Sequence, residues 1–257
     1  MIDRERERDW LTTQLAREGR QLLVIYGRRR VGKTTLVTSV LDTLDAETVY
    51  HLCDQRGPKQ NATAFATQCA EAFDDVTPAV EGFVEAFQYL ADRIDGSCVV
   101  ALDEFSYLVE ADETVPSVFQ TIVDDVLAGT EISLVLLGSS ISLMEEGVLS
   151  YESPLYGRRT GQWELDPLSF ADMRAFVPKA DIETQIQIYS VLGGMPAYLE
   201  QFDPTQGLFD NIEREILSKG AFLYEEPEFL LRQELREPAT YLSILEAIAG
   251  GATRVTE

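Results

Sequence analysis

The chain has 257 residues, 45 % of them hydrophobic, and its 44 acidic against 21 basic side chains give a formal charge of −23. That length buries a substantial core, close to the size at which one core divides in two, and the hydrophobic share excludes a wholly disordered protein. No apolar run approaches the roughly 18 residues that span a bilayer, the amino terminus lacks a secretory apolar stretch, and no broad basic face advertises nucleic acid, so the expectation is a cytoplasmic protein without a membrane partner.

In chain order, Leu22-Leu23-Val24-Ile25-Tyr26 is an apolar run that ends at Gly27, as a buried parallel strand does. Residues 33–44 follow with apolar side chains at helical spacing, and 48–52 reads as a second strand. Helices are predicted over 62–73 and 80–94, then a third buried strand over 98–102 that stops at Asp103. A helix over 118–127 leads to a fourth strand at 132–137, closed by Gly138-Ser139-Ser140, and 163–165 is a candidate fifth. Strands alternating with helices argue for an α/β fold with a mainly parallel sheet. Beyond about 168 the pattern turns helical, over 169–176, 182–192, 208–218 and 228–248, with breaks at Pro178, Gly193-Gly194 and Pro204.

The chemistry is concentrated after the first strand. Gly27-Arg28-Arg29-Arg30-Val31-Gly32-Lys33-Thr34 fits G-x-x-x-x-G-K-[ST] without deviation. Glycines let the backbone N–H groups of such a P-loop turn toward phosphates, and the following helix offers its positive end. In that pattern Lys33 reaches the β- and γ-phosphates of a nucleoside triphosphate and the Thr34 hydroxyl ligates magnesium. The expected ligands are therefore ATP and Mg2+, with Thr35 continuing the binding loop into the helix. The run Arg28-Arg29-Arg30 has two readings, cations beside the phosphates or solvated loop positions.

A P-loop also needs a carboxylate at the end of another strand to hold the metal, and Asp103 stands there. Glu104, the next residue, is placed to act as general base toward the attacking water. At the end of the fourth strand, Ser139 or Ser140 is either a γ-phosphate sensor or the N-cap of a helix starting at Ile141. His51, the single histidine, has no relay partner in the sequence and is read as structural. Cys53, Cys69 and Cys98 show no metal-ligand spacing and are read as free thiols. The acidic excess, with only four lysines, is read as adaptation to a salt-rich cytoplasm.

These motifs together resemble the archaeal-type ATPases of the AAA+/STAND branch of P-loop proteins. The resemblance rests on residues 26–35, on Leu102-Asp103-Glu104-Phe105, on Leu137-Gly138-Ser139-Ser140, on residues 154–161 and on Leu192-Gly193-Gly194-Met195-Pro196. It implies a three-layer P-loop core over 1–167, a helical lid over 168–229 and the opening of a winged helix over 230–257, with the rest of that domain missing. It places Arg4 and Glu5, in Met1-Ile2-Asp3-Arg4-Glu5, near the adenine, although Asp3 replaces the usual glycine. It places Pro196 of Gly194-Met195-Pro196 against the base or ribose, where the plain alternative is a helix break. Arg158 and Arg159 fall where such proteins carry an arginine finger. That role implies a homo-oligomer if it acts across a subunit boundary, and the alternative is an ion pair with a local carboxylate. The implied activity is magnesium-dependent ATP hydrolysis driving a conformational switch, with DNA as a partner only through the missing part. A nucleotide-dependent scaffold that rarely turns over is the competing reading.

Overall fold

The computed structural model describes residues 4–235 and 237–254. Its contacts divide the chain into two units, one ending at Pro167 and one beginning at Leu168.

The first unit is built on five parallel strands, β1 (Leu22–Tyr26), β2 (Glu47–Leu52), β3 (Ser97–Asp103), β4 (Glu131–Gly138) and β5 (Gly161–Glu164). They lie in the order β2-β3-β4-β1-β5, so β4 separates β1 from β3. Side chains alternate across β1, and both faces are covered. Leu22, Val24 and Tyr26 join one apolar cluster, and Leu23 and Ile25 join another. The second cluster is closed by α1 (Glu5–Leu15) and α2 (Lys33–Leu41), through Leu11, Val37, Val40 and Leu41.

The first cluster is closed by α3 (Pro58–Ala72), α4 (Phe83–Ala91), α5 (Ser106–Ala111), α6 (Val115–Thr121) and α7 (Ile141–Met144). Phe65, Phe87, Phe105 and Phe119 are fully buried at its centre, and each contributes about 1.5–3 kcal/mol by leaving water. The result is the three-layer α/β sandwich of the P-loop fold.

Several boundaries differ from expectation for local reasons. The first helix after the loop stops at Leu41 rather than at 44, where the hydroxyl of Thr43 bonds the carbonyl of Val40 and Leu44 N–H bonds that of Leu41. The helix predicted over 118–127 starts earlier, with Pro116 in its first turn, and ends in a π-helical turn, Ile122–Val126. Helix α1 was not anticipated, because five of its eleven residues are charged and only Leu11 and Gln14 are buried.

The second unit has its own core of Leu168, Met173, Val177, Ile188, Leu192, Leu199, Phe202 and Leu223. Its helices are α8 (Phe170–Met173), α9 (Ile182–Leu192), α10 (Pro196–Leu199), α11 (Leu208–Ile212) with a π-helical turn Glu213–Leu217, α12 (Glu226–Glu234) and α13 (Pro238–Ala249). The predicted single helix over 228–248 is two helices, because Pro238 forces the residue before it out of the helical region, and Glu237 has φ −125° and ψ 68°. Among the described residues no helix is long and apolar enough to cross a membrane.

Candidate functional site

Strand β1 delivers the chain to Gly27 at its carboxyl end, and the loop that follows has little conformational choice. Gly27 has φ 148°, and a Cβ there would lie 2.4 Å from the carbonyl oxygen of Leu165, so no side chain fits. Arg30, with φ 65°, curls the loop again before Gly32 opens α2. The first N–H groups of α2 have no partner within the helix, and an anion is the natural one. Lys33 is buried, and its Nζ donates to the carbonyls of Gly27 at 2.9 Å and Arg28 at 3.0 Å. Val31 is fully buried, whereas Thr34 and Thr35 are exposed on the first turn of α2. Of the three arginines, Arg28 is exposed, and Arg29 donates to the Tyr107 hydroxyl while lying 5.4 Å from that ring's centroid.

Asp103 ends β3 and is only 2 % exposed. Its Oδ2 accepts from the Thr34 hydroxyl at 2.5 Å and the Tyr50 hydroxyl at 2.7 Å, and its Oδ1 from the Glu104 N–H at 2.8 Å. Tyr50 is held protonated, its pKa raised first by burial and then by the bond to Asp103, so it acts as a donor. The pairing of Thr34, in the first turn of α2, with Asp103, at the end of β3, brings two hard oxygen ligands together, which fits magnesium. Among the described residues no group of three or more His, Cys, Asp or Glu side chains would hold a metal alone. Magnesium keeps several waters and takes phosphate oxygens beside one or two protein groups.

Glu104 sits in the left-handed region with φ 54°, a conformation that costs a non-glycine residue of order 1–3 kcal/mol. Its neighbours impose it. Asp103 is fixed as described, and Phe105 is fully buried edge-on to Phe119, with its N–H on the Leu137 carbonyl at 2.7 Å. The carboxylate of Glu104 is thereby turned to the end of β4, where it accepts from the Ser139 hydroxyl. Ser140 occupies the N-cap position of α7 but makes no side-chain capping bond. So Ser139 enters the carboxylate cluster and Ser140 does not. Loop, Asp103, Glu104 and Ser139 all lie at the carboxyl edge of the sheet, where ligands of open α/β sheets bind.

The remaining predicted residues are dispersed. Arg4 is buried, and its Nη2 donates to the carbonyls of Val31 at 3.1 Å and Asp166 at 2.7 Å, while Nη1 meets Glu7 at 2.9 Å. It braces the loop from behind through Val31. Glu5 is exposed on α1, and Met1-Ile2-Asp3 of the same motif lies outside the described residues.

Arg158 and Arg159 precede β5, and the next residue, Thr160, bonds Leu22 at the start of β1. Their backbone is thus at the amino edge, about five strand steps or roughly 16 Å from Gly27. Arg158 pairs with Asp124 at 2.7 Å and pulls that carboxyl below the usual range, and Arg159 bonds the Leu149 carbonyl and lies over Tyr156. The local ion pair expected as the alternative is what Arg158 makes.

In the second unit, Pro196 opens α10, and a Cβ on Gly194 would lie 1.8 Å from the Leu168 carbonyl. His51 is buried, its Nδ1 beside Gln68 Oε1 at 3.1 Å and its ring edge-on to Phe65. The three cysteines are buried free thiols, and burial pushes Cys69 and Cys98 up to about 12. Tyr50 and Tyr107 are the site residues that sequence reasoning missed.

A family model described as an ATPase domain predominantly from Archaea matches residues 1–202. An uncharacterized protein of Methanocaldococcus jannaschii is 39 % identical over 250 residues, which is 97 % of this chain and 54 % of that protein. The chain therefore spans about half the length of that curated relative. Among solved structures, a Walker-type ATPase of Pyrococcus abyssi superposes with a TM-score of 0.66 at 22 % identity, over 98 % of this chain and 80 % of that one. The ORC1 protein of Aeropyrum pernix, solved in complex with DNA, superposes with a TM-score of 0.59 at 17 % identity, over 98 % and 74 %.

Proposed function

Because the chain belongs to the family of ATPase domains found predominantly in Archaea, we propose that it binds ATP with magnesium at residues 27–35 and hydrolyses the β–γ phosphoanhydride. The observation that carries this reading is the cluster at the sheet edge, in which Thr34 touches Asp103 and Glu104 touches Ser139 within reach of one loop.

The loop N–H groups and Lys33 bind the phosphates, and the exposed Arg28 adds a cation beside them. Thr34 and Asp103 would hold magnesium, which when bound neutralises developing charge on the phosphate oxygens. Glu104 takes the proton of the attacking water, and Ser139 fixes the carboxylate that does so. Arg4 supports the loop through Val31, and Glu5 follows it as the first residue of α1. The helical unit carrying Pro196 responds to the nucleotide and acts as the moving part of a switch. The stretch from residue 230 onward is the opening of a winged-helix unit in this reading. Arg232 there is paired with Glu228 at 3.0 Å.

Two variants test the reading. Lys33→Ala should weaken ATP binding at least about tenfold, since it removes the buried ammonium facing the phosphates. Glu104→Gln should bind ATP as the parent does and lose turnover by about 10²–10⁴-fold, the usual contribution of a general base. Calorimetric titration and steady-state phosphate release measure the two effects. Parental turnover in Glu104→Gln would remove Glu104 from the mechanism.

A further inference from the structure

Beyond the loop and the two acidic residues, the site includes a contact from the far edge of the sheet. Strand β2 is an edge strand, and its register puts Tyr50 opposite Ala101 and Leu52 opposite Asp103. The chain continuing from β2 grips Asp103 at the backbone, where Cys53 N–H donates to the Asp103 carbonyl at 2.9 Å. Tyr50 grips the same residue at its side chain, at 2.7 Å on Oδ2. The tyrosine backbone is held in turn, because Gln68 Nε2 on α3 donates to its carbonyl at 2.5 Å.

The carboxylate has two oxygens and three donors in view. Oδ1 is held by a backbone N–H one residue away, and Oδ2 is shared by Thr34 and Tyr50. Thr34 is itself a candidate metal ligand, so its hydroxyl serves the cation as well as the carboxylate. Tyr50 is the side-chain donor on Asp103 that no such duty claims. Magnesium demands near-ideal octahedral geometry, and groups that orient a ligating carboxylate govern metal affinity strongly.

We propose that Tyr50 is a positioning residue for the cation site, its hydroxyl fixing the plane of the Asp103 carboxylate and so setting how strongly magnesium and ATP reinforce each other's binding. This rests on the assignment of Asp103 and Thr34 to magnesium. It adds a residue on β2 that lies outside every motif in the sequence. The reinforcement is a coupling between two ligands and is measurable without turnover.

The test is Tyr50→Phe, which keeps the ring and removes only the hydroxyl. ATP affinity is measured by calorimetry in EDTA and again at saturating magnesium chloride, for the parent and the variant. The factor by which magnesium tightens ATP should fall about tenfold in the variant, while affinity in EDTA stays within about twofold. Tyr89→Phe is the control. It loses a similar tyrosine–carboxylate bond, to Asp75 at 3.0 Å, at a place remote from the loop, and should keep the parental factor.

A parental factor in Tyr50→Phe overturns the proposal and leaves the cation site standing. Equal weakening with and without magnesium also overturns it, because that result marks a merely structural tyrosine. If the parent protein shows no magnesium enhancement, both the proposal and the cation site fall.

Discussion

His51 shows how one buried side chain sets a pH response. Burial lowers its pKa below 6.5 against the opposing pull of Gln68. A base whose folded pKa is depressed binds more protons when unfolded. Its contribution to stability is therefore complete above about pH 6.5 and is lost as the pH falls through the folded value. The salt-bridged Asp75 and Asp124 have lowered pKa values and act only at more acidic pH, so the histidine has its own window. Thermal midpoints between pH 7 and pH 5 should fall more steeply for the parent than for His51→Gln. Parallel curves would show that folded and unfolded chains take up protons equally at this imidazole, so that folding does not lower its pKa. Much of the candidate site was legible at this scale. Lys33 and Thr34 could be read from the loop pattern after β1, and Asp103 and Glu104 from their place at the end of an apolar strand. Tyr50 was not legible, because a tyrosine in an edge strand is ordinary β-sheet composition until the strand order puts it beside Asp103.

Elements that are buried on both faces were also readable from sequence. Strands β1, β3 and β4 are apolar through their centres, Ser133 of β4 apart, since helices cover each side, and their ends deliver the loop, the carboxylates and Ser139 to one edge. Helix α1 was hidden by its charges, yet the residue that opens it, Arg4, matters to the candidate site. The Arg4 guanidinium joins the carbonyls of Val31 and Asp166, which are 135 positions apart in sequence, so it ties the loop to the segment after β5. Arg4→Ala leaves both carbonyls without that donor, and a lost buried bond of this kind costs of order 1–3 kcal/mol. At about 2–4 °C per kcal/mol, the thermal midpoint should drop by several degrees. ATP affinity in EDTA should weaken with it, because the loop loses its brace. A variant that melts lower but binds ATP as the parent does would confine Arg4 to stability. The short helices α5 and α10 escaped prediction because four to six residues are too few to show a helical period.

For the whole molecule the governing quantity is the formal charge of −23. The ion pairs Arg56–Asp54, Lys59–Glu81 and Arg232–Glu228 are exposed, and pairs of that kind add little to stability because water and salt screen them. They do not offset mutual repulsion among 44 carboxylates. The repulsion is long-ranged at about 0.1 M salt, where the screening length is roughly 10 Å, and mostly removed at about 1 M, where it is roughly 3 Å. The same field opposes the approach of ATP, itself an anion, except at the loop, where Arg28, Arg29, Arg30 and Lys33 make a local positive patch. Screening therefore acts in two directions. It relieves the fold as a whole and weakens the attraction of the loop for phosphate. The thermal midpoint without nucleotide should rise steadily from 0.1 to about 1 M potassium chloride and then flatten, with each kcal/mol of relieved repulsion worth about 2–4 °C. A midpoint that is flat or falls over that interval would show that the acidic surface is already compensated and would sink the reading of a salt-adapted chain. The same titration in sucrose, which favours burial without screening, separates the two causes, because a rise confined to potassium chloride belongs to charge.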